Sequence, residues 1–229
     1  MIIDLNCDMG ELEDAAQTAA LMEFVTSANV ACGAHAGDEH TMARTIRLAL
    51  LRGVRVGAHP GYPDRENFGR IRMPMSPAEI ERSVRAQIER LAEVAEPLGA
   101  PIVHIKPHGA LYNVAARDHE TARAIGRAVA GWNPGAVLFG LAGSAAPDLW
   151  REMGLPVAGE AFADRRYEAD GSLRPRTFAD ALITSPPEAA AQAVRLARQS
   201  NVQTICVHGD TPGAVAVLKA CRAALLLEP

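Results

Sequence analysis

Residues 76–109, SPAEIERSVRAQIERLAEVAEPLGAPIVHIKPHG, run from one helix into one strand. Ser76 can cap a helix, Pro77 suits its first position, and Glu79 can reach back to complete a capping box. The helix continues to about Leu98 and stops at Gly99. Ile102–Lys106 then reads as a short apolar strand. It ends in polar residues, Lys106 and His108, and the chain turns at Gly109.

The same alternation extends in both directions. Before residue 76, strands are expected over Ile2–Cys7, Ala28–Cys32 and Val54–Ala58, with helices over Ala15–Phe24 and Thr41–Arg52, the latter ending at Gly53. After residue 109, strands are expected over Ala136–Leu141, Val157–Ala161 and Gln203–Val207. The intervening helices cover Asp118–Ala130 and Ala145–Met153. Ser185-Pro186-Pro187-Glu188 repeats the capping-box signal and opens a helix to about Arg198. Thr211-Pro212 is expected to cap a last helix reaching about Leu227. Phe162–Thr184 reads as a long loop. These are seven strand-then-helix units, and the apolar strands suit a parallel sheet buried on both faces. An α/β fold follows. An open doubly wound sheet and a closed barrel both fit the alternation. No linker or composition shift marks a second domain, so residues 1–229 read as one.

Composition excludes several classes. A formal charge of −4 argues against a nucleic-acid binder, which usually shows a basic face. No apolar run reaches the ~18 residues of a membrane span. Met1 leads into Ile2-Ile3-Asp4-Leu5 without a basic leader region, and a cytoplasmic location is expected. Cys7, Cys32, Cys206 and Cys221 form no CxxC pair and suggest no disulfide framework. There is no P-loop motif, no G-x-G-x-x-G after the first strand, no H-E-x-x-H and no G-x-S-x-G. Ser144 reads as a helix N-cap.

Polar residues gather where strands end. Asp8, His35 and His59 follow the first three strands, and Lys106 and His108 close the fourth. Glu160 and Asp164 follow the sixth, and His208 and Asp210 the seventh. In parallel α/β folds this end hosts the active site. Side chains two apart on a strand share a face, so Asp4, Asn6 and Asp8 point together, with Cys7 opposite. His104, Lys106 and His108 likewise form one set, and Cys206, His208 and Asp210 another. In a barrel these sets would converge on one pocket, with Glu160 and Asp164 at its rim. Asp8, His35, His59 and His108 are suitable ligand types for Zn²⁺ or another divalent ion. No two histidines have tight ligand spacing, and the sequence leaves the metal open.

Six segments together carry a resemblance: Asp4–Glu11, Thr26–Asp38, Gly57–Asp64, Lys106–Asn113, Phe162–Tyr167 and Val207–Gly213. In this order they resemble the LamB/YcsF family over essentially the whole chain. The resemblance implies a seven-stranded parallel β/α barrel related to glycoside hydrolases and polysaccharide deacetylases. It implies ATP-dependent opening of 5-oxoproline to L-glutamate, the activity of a 5-oxoprolinase in which this type of chain works with separate B and C subunits. Two loops depart from the family pattern. Leu12-Glu13-Asp14 leads straight into a helix where the family usually carries a glycine- and aromatic-containing loop. Only Gln199-Ser200-Asn201 remains of an insertion before the last strand.

Ring opening of a stable lactam needs an activated water, a better leaving group, or both. Asp8 or His59 is the candidate general base. Lys106 is the candidate for stabilising developing negative charge. Asn6, His35, His108 and His208 would orient substrate or water. Arg165 is a candidate for the substrate carboxylate, which a guanidinium can hold bidentately. Nothing in the sequence resembles an ATP cradle, so activation by ATP is expected to involve partner subunits. Two competing readings are a metal-dependent deacetylase or amidohydrolase and a non-catalytic component that binds a small acid.

Overall fold

The computed structural model describes residues 3–12 and 14–227. Seven parallel strands close into a barrel in sequence order: β1 (Asp4–Met9), β2 (Ser27–Ala31), β3 (Arg55–His59), β4 (Ile102–Ile105), β5 (Val137–Leu141), β6 (Val157–Phe162) and β7 (Thr204–Cys206). Closure rests on the pairing of β7 with β1, where Asp4 meets Thr204 and Asn6 meets Cys206. That long-range pairing decides between the barrel and the open sheet.

Among the described residues eight α-helices surround the strands: α1 (Ala15–Met22), α2 (Glu39–Arg52), α3 (Pro77–Ala95), α4 (Gly109–Ala115), α5 (His119–Trp132), α6 (Ala145–Glu152), α7 (Pro186–Ala197) and α8 (Ala214–Leu226). None of the described helices is long and apolar enough to cross a membrane. The capping box at Ser76 and Glu79 is present at the start of α3. Gly53 ends α2 in the left-handed region that favours glycine, with φ 64°.

Several local expectations need correction. Ser185 sits at the N-cap of α7 without a side-chain capping bond, so its capping box does not form. The cap of α8 is Gly213, not Thr211, whose hydroxyl instead donates to Asp164. Ser144 stands at the N-cap of α6, but its hydroxyl turns back to the Leu141 carbonyl. Helix α4 is additional to the seven expected. Of the loop changes, Glu13 lies outside the described residues, as does Ile2 of the expected first strand. Asp14 caps α1 by accepting from the Ala16 and Gln17 amides.

The two faces of the sheet differ in chemistry. Outward residues such as Leu5, Cys7, Val30, Val56, Ile105 and Ile205 pack with the helices into one apolar core. The inward set includes Asn6, Asp8, Ser27, Asn29, His104, Lys106, Glu160 and Thr204, all buried. Barrel interiors are usually filled by branched apolar side chains; this one is filled by hydrogen-bonded polar groups. At its N-terminal end the Asp4 carboxylate accepts from Thr204, Ser27 and Arg55, tying β7, β1, β2 and β3 together.

One glycine makes the next layer possible. A Cβ on Gly57 would lie 2.1 Å from His104 Nε2. Without it, the His104 ring fits across the barrel and donates from Nε2 to Asn29 Oδ1 at 2.8 Å. Phe139 stacks on the ring at 4.4 Å.

Candidate active site

Lys106 occupies the barrel axis at the C-terminal end of the strands. The residue is only 2% exposed. Its ammonium lies 2.9 Å from Asp8 Oδ1 and 3.0 Å from Glu160 Oε1, and it donates to Cys206 Sγ at 3.0 Å. Asn6 knits the pair into the barrel. Its amide nitrogen donates to Glu160 Oε1 and Thr204 Oγ1, while its oxygen accepts from Asn29 and Lys106. Asn29 also donates to Asp8 Oδ1. Burial opposes charge on Lys106, but the carboxylates of Asp8 and Glu160 and the hydrogen bond to Cys206 outweigh it and hold its pKa well above the ordinary value. Burial would likewise neutralise Asp8, yet His59 and Lys106 keep its carboxyl well below the usual range. The pair is therefore ionised at neutral pH.

Beside Asp8 lies a second group, contributed by β1, β2, β3 and β4. Asp8 Oδ2 is 3.3 Å from His59 Nε2. His59 Nε2 also faces His108 Nδ1 at 2.9 Å, and Glu11 Oε1 lies 3.0 Å from His108 Nδ1 and 3.1 Å from His35 Nε2. The His35 and His108 rings stack at 3.8 Å. Burial lowers the pKa of His35 to about 4. Burial also opposes charge on His59, but Asp8 and Glu11 reverse the sign and raise its pKa. Burial is likewise outweighed at Glu11, where His108 and His35 hold the carboxyl below its ordinary value.

The opposite wall is built around Asp164. This carboxylate is fully buried and accepts from the His208 amide at 2.9 Å, from His208 Nδ1 at 3.1 Å and from Thr211 Oγ1. It therefore fixes the His208 ring, which stacks on Phe162 at 5.2 Å. The loop after β6 is anchored by Gln192 of α7, whose amide donates to the Phe162, Ala163 and Arg165 carbonyls.

A cavity of about 980 Å³ opens over these groups and is lined by Asp8, His59, Lys106, His108, Arg165, Arg176 and His208, among others. Arg165 donates from Nη2 to the Arg174 carbonyl at 2.6 Å, while its buried Nε has no partner. Burial and the neighbouring Arg176 lower its pKa to about 10, so it remains a cation at neutral pH.

The structure thus brings Asn6, Asp8, Lys106 and Glu160 into one network and His35, His59 and His108 into an adjoining one. His208 and Asp164 form a separate pair, and Arg165 lies on the cavity wall. Two placements differ from expectation. Glu160 is not at the rim: it is 0% exposed and touches Lys106 on the axis. Asp164 is also buried, behind His208. Asp210 shares a strand end with His208 but pairs with Arg70 and Arg176. Glu11 joins the site without having been expected there. Its signal is the spacing Asp8-x-x-Glu11 around Gly10, whose φ of 72° turns the chain back over the strand end. Of the expected ligand types, His35, His59 and His108 lie with Glu11, their donor atoms within 4.8 Å of one another, while Asp8 groups in the same way with Cys206 and His208.

Comparison with known proteins agrees with this architecture. The model of the LamB/YcsF family matches residues 3–228. A Chloroflexus aggregans protein, named as the A subunit of 5-oxoprolinase, is 53% identical, the match covering 96% of this chain and 93% of that protein. A Bordetella pertussis protein of the same name is 47% identical, with coverages of 97% and 94%. The crystal structure of a lactam utilization protein from Thermus thermophilus superposes with a TM-score of 0.91 at 41% identity, covering 99% of this chain and 96% of that one.

Proposed function

Because this chain belongs to the LamB/YcsF family, we propose that it is the A subunit of an ATP-dependent 5-oxoprolinase, hydrolysing the lactam of 5-oxoproline to L-glutamate alongside B and C subunits. The names of its relatives support the substrate and the complex. The observation that carries the reading is the ionised Lys106–Asp8 pair facing a cavity with the Arg165 guanidinium on its wall.

The substrate presents a carboxylate and a cyclic amide. Arg165 suits the carboxylate through its unpartnered Nε. Lys106 suits the lactam oxygen. It can exchange its contact with the Cys206 sulfur, a weak acceptor, for an oxygen that gains charge as water adds. Asp8 Oδ1 is engaged by Lys106 and Asn29, while Oδ2, which faces His59 Nε2 at 3.3 Å, keeps a second lone pair for water. Water adds to the lactam carbon and its proton passes to Asp8 Oδ2. A carboxylate of low pKa releases that proton readily to the ring nitrogen as the carbon–nitrogen bond breaks. His59 orients Asp8, and Asn6 and Glu160 orient Lys106. His208, held by Asp164, bounds the opposite wall. His35 and His108 support His59 through ring contacts.

Lys106 is not placed to hold a phosphate of ATP. Lys106 and Lys219 are the chain's two lysines, and Lys106 is enclosed by two carboxylates rather than free for a phosphate. Activation by ATP is assigned to the B and C subunits. The test is reconstitution. With all three subunits, 5-oxoproline and ATP, glutamate should form; without this chain, glutamate formation should stop. Glutamate at the full rate from B and C alone would overturn the assignment.

A metal-dependent amidohydrolase is the second reading, favoured by the gathering of Glu11, His35, His59 and His108. Lactam hydrolysis by the isolated chain without ATP would support it instead.

A further inference from the structure

The tautomers of His59 and His108 are set by their surroundings. His59 Nδ1 lies 2.7 Å from the Lys106 carbonyl oxygen, and His108 Nε2 lies 2.8 Å from the Phe68 carbonyl oxygen. A carbonyl only accepts, so each of these nitrogens carries a hydrogen. With both rings neutral, the other two nitrogens, His59 Nε2 and His108 Nδ1, present lone pairs to each other across 2.9 Å, a gap filled either by a proton on His59 or by a metal ion. Two facing lone pairs need a positive charge between or beside them. The same point is approached by Glu11 Oε1, at 3.5 Å from His59 Nε2 and 3.0 Å from His108 Nδ1, and His35 Nε2 lies 3.1 Å from that oxygen.

These separations have a direct meaning. Bonds of about 2.0–2.1 Å to a tetrahedral zinc ion place neighbouring donors about 3.3 Å apart. The separations among Glu11 Oε1, His59 Nε2 and His108 Nδ1, 2.9–3.5 Å, bracket that value, and His35 Nε2 lies 3.1 Å from the same Glu11 oxygen. Histidines that bind metals commonly donate their second ring hydrogen to a carbonyl or carboxylate, which fixes the ring. Both His59 and His108 do so here.

The backbone is arranged for the same end. Phe68 has φ 56°, the one positive value outside glycine among the described residues, and its carbonyl is the one that receives His108. A bulky residue adopts that region only when its surroundings demand it. Gly61 and Gly69 back the histidines closely. A Cβ at either would come within 2.8 Å of His35 Nδ1 or 2.9 Å of His35 Cβ, respectively.

We propose that Glu11, His59 and His108 form a binding site for a divalent cation of the zinc class, adjoining the Lys106–Asp8 pair, with His35 stacked on His108 and holding the Glu11 carboxylate in place. Two imidazoles and one carboxylate suit zinc or cobalt better than magnesium or calcium, which prefer all-oxygen shells. The inference stands on the donor geometry and not on the reaction proposed above.

The test reads binding directly. The full chain is freed of metal with a chelator, loaded with Zn²⁺, passed through gel filtration and measured for bound metal. Co²⁺ serves as a parallel probe through its visible absorption. The expected result is about one ion per chain and a four-coordinate Co²⁺ spectrum. Glu11→Gln, which keeps the side-chain shape, and His108→Ala should each weaken binding by ~100-fold or more, with circular dichroism monitoring the fold. If His108→Ala does not fold, Glu11→Gln and the Co²⁺ spectrum of the unmodified chain decide alone. Substoichiometric binding of about a tenth of an ion or less, or affinity unchanged in Glu11→Gln, would overturn the proposal.

Discussion

Lys106 Nζ and Asp8 Oδ1 meet 2.9 Å apart on the barrel axis, 98 residues apart in sequence, with both side chains 3% exposed. Removing one partner of a buried ion pair leaves an uncompensated charge, at a typical cost of ~3–5 kcal/mol. Lys106→Ala would strand both Asp8 and Glu160. It should therefore destabilise the chain by about that amount in urea unfolding. A loss below about 1 kcal/mol would show that water replaces the ammonium and that the pair is not structurally required.

Gly57 makes a sharper stability prediction. Its neighbour His104 fills the space a Cβ would enter, at 2.1 Å. Gly57→Ala should displace the ring, break its bond to Asn29 and destabilise by ~2–4 kcal/mol, of the size seen when a packed core is overfilled and a buried hydrogen bond is lost. His104→Ala combined with Gly57→Ala should cost less than the sum of the two single changes. Additive costs would mean that the contact is not the cause.

His104 also predicts a pH dependence. Burial lowers its pKa to about 3, against an ordinary value of 6.5. The unfolded chain takes up a proton below pH 6.5 and the folded chain does not until about pH 3, so stability falls as acid is added across that window. Between pH 7 and pH 4 the contribution is about 3 kcal/mol. His104→Gln should flatten this part of the profile in urea unfolding at pH 7, 5 and 4. Parallel profiles would contradict the neutral, buried state of the ring.

Arg165 predicts a split in kinetics. Its planar guanidinium can hold a carboxylate through two donors, which an ammonium cannot reproduce. Arg165→Lys in the three-subunit complex should raise KM for 5-oxoproline by ~10–100-fold and change kcat much less, the signature of lost ground-state binding. A fall in kcat at constant KM would place Arg165 with the reacting groups instead.

The alternation of apolar strands and capped helices is legible from the sequence because each signal is local. Ser76, Glu79 and Gly53 all act within one turn of where they sit. Closure is not legible from periodicity, since it depends on Asp4 pairing with Thr204 across 200 residues. The strand-end histidines are visible as a set, but their division into two groups is not. That division depends on Glu11, carried over the strand end by the turn at Gly10, and on Asp164, which draws His208 away from the others. Glu160 reads as a rim residue because a carboxylate near a strand end is normally solvated. Its burial becomes intelligible only with Lys106 opposite. Helix α4 is hidden because its seven residues begin immediately after His108, inside a stretch whose polar residues read as chemistry.

The most direct test of the central claim is glutamate formation by the reconstituted complex carrying Asp8→Asn. Asparagine keeps the shape of the side chain but cannot take a proton from water. The expected result is a folded chain with glutamate formation reduced by ~100-fold or more, in keeping with the loss of a positioned proton acceptor. A rate within about threefold of the unmodified complex would contradict it.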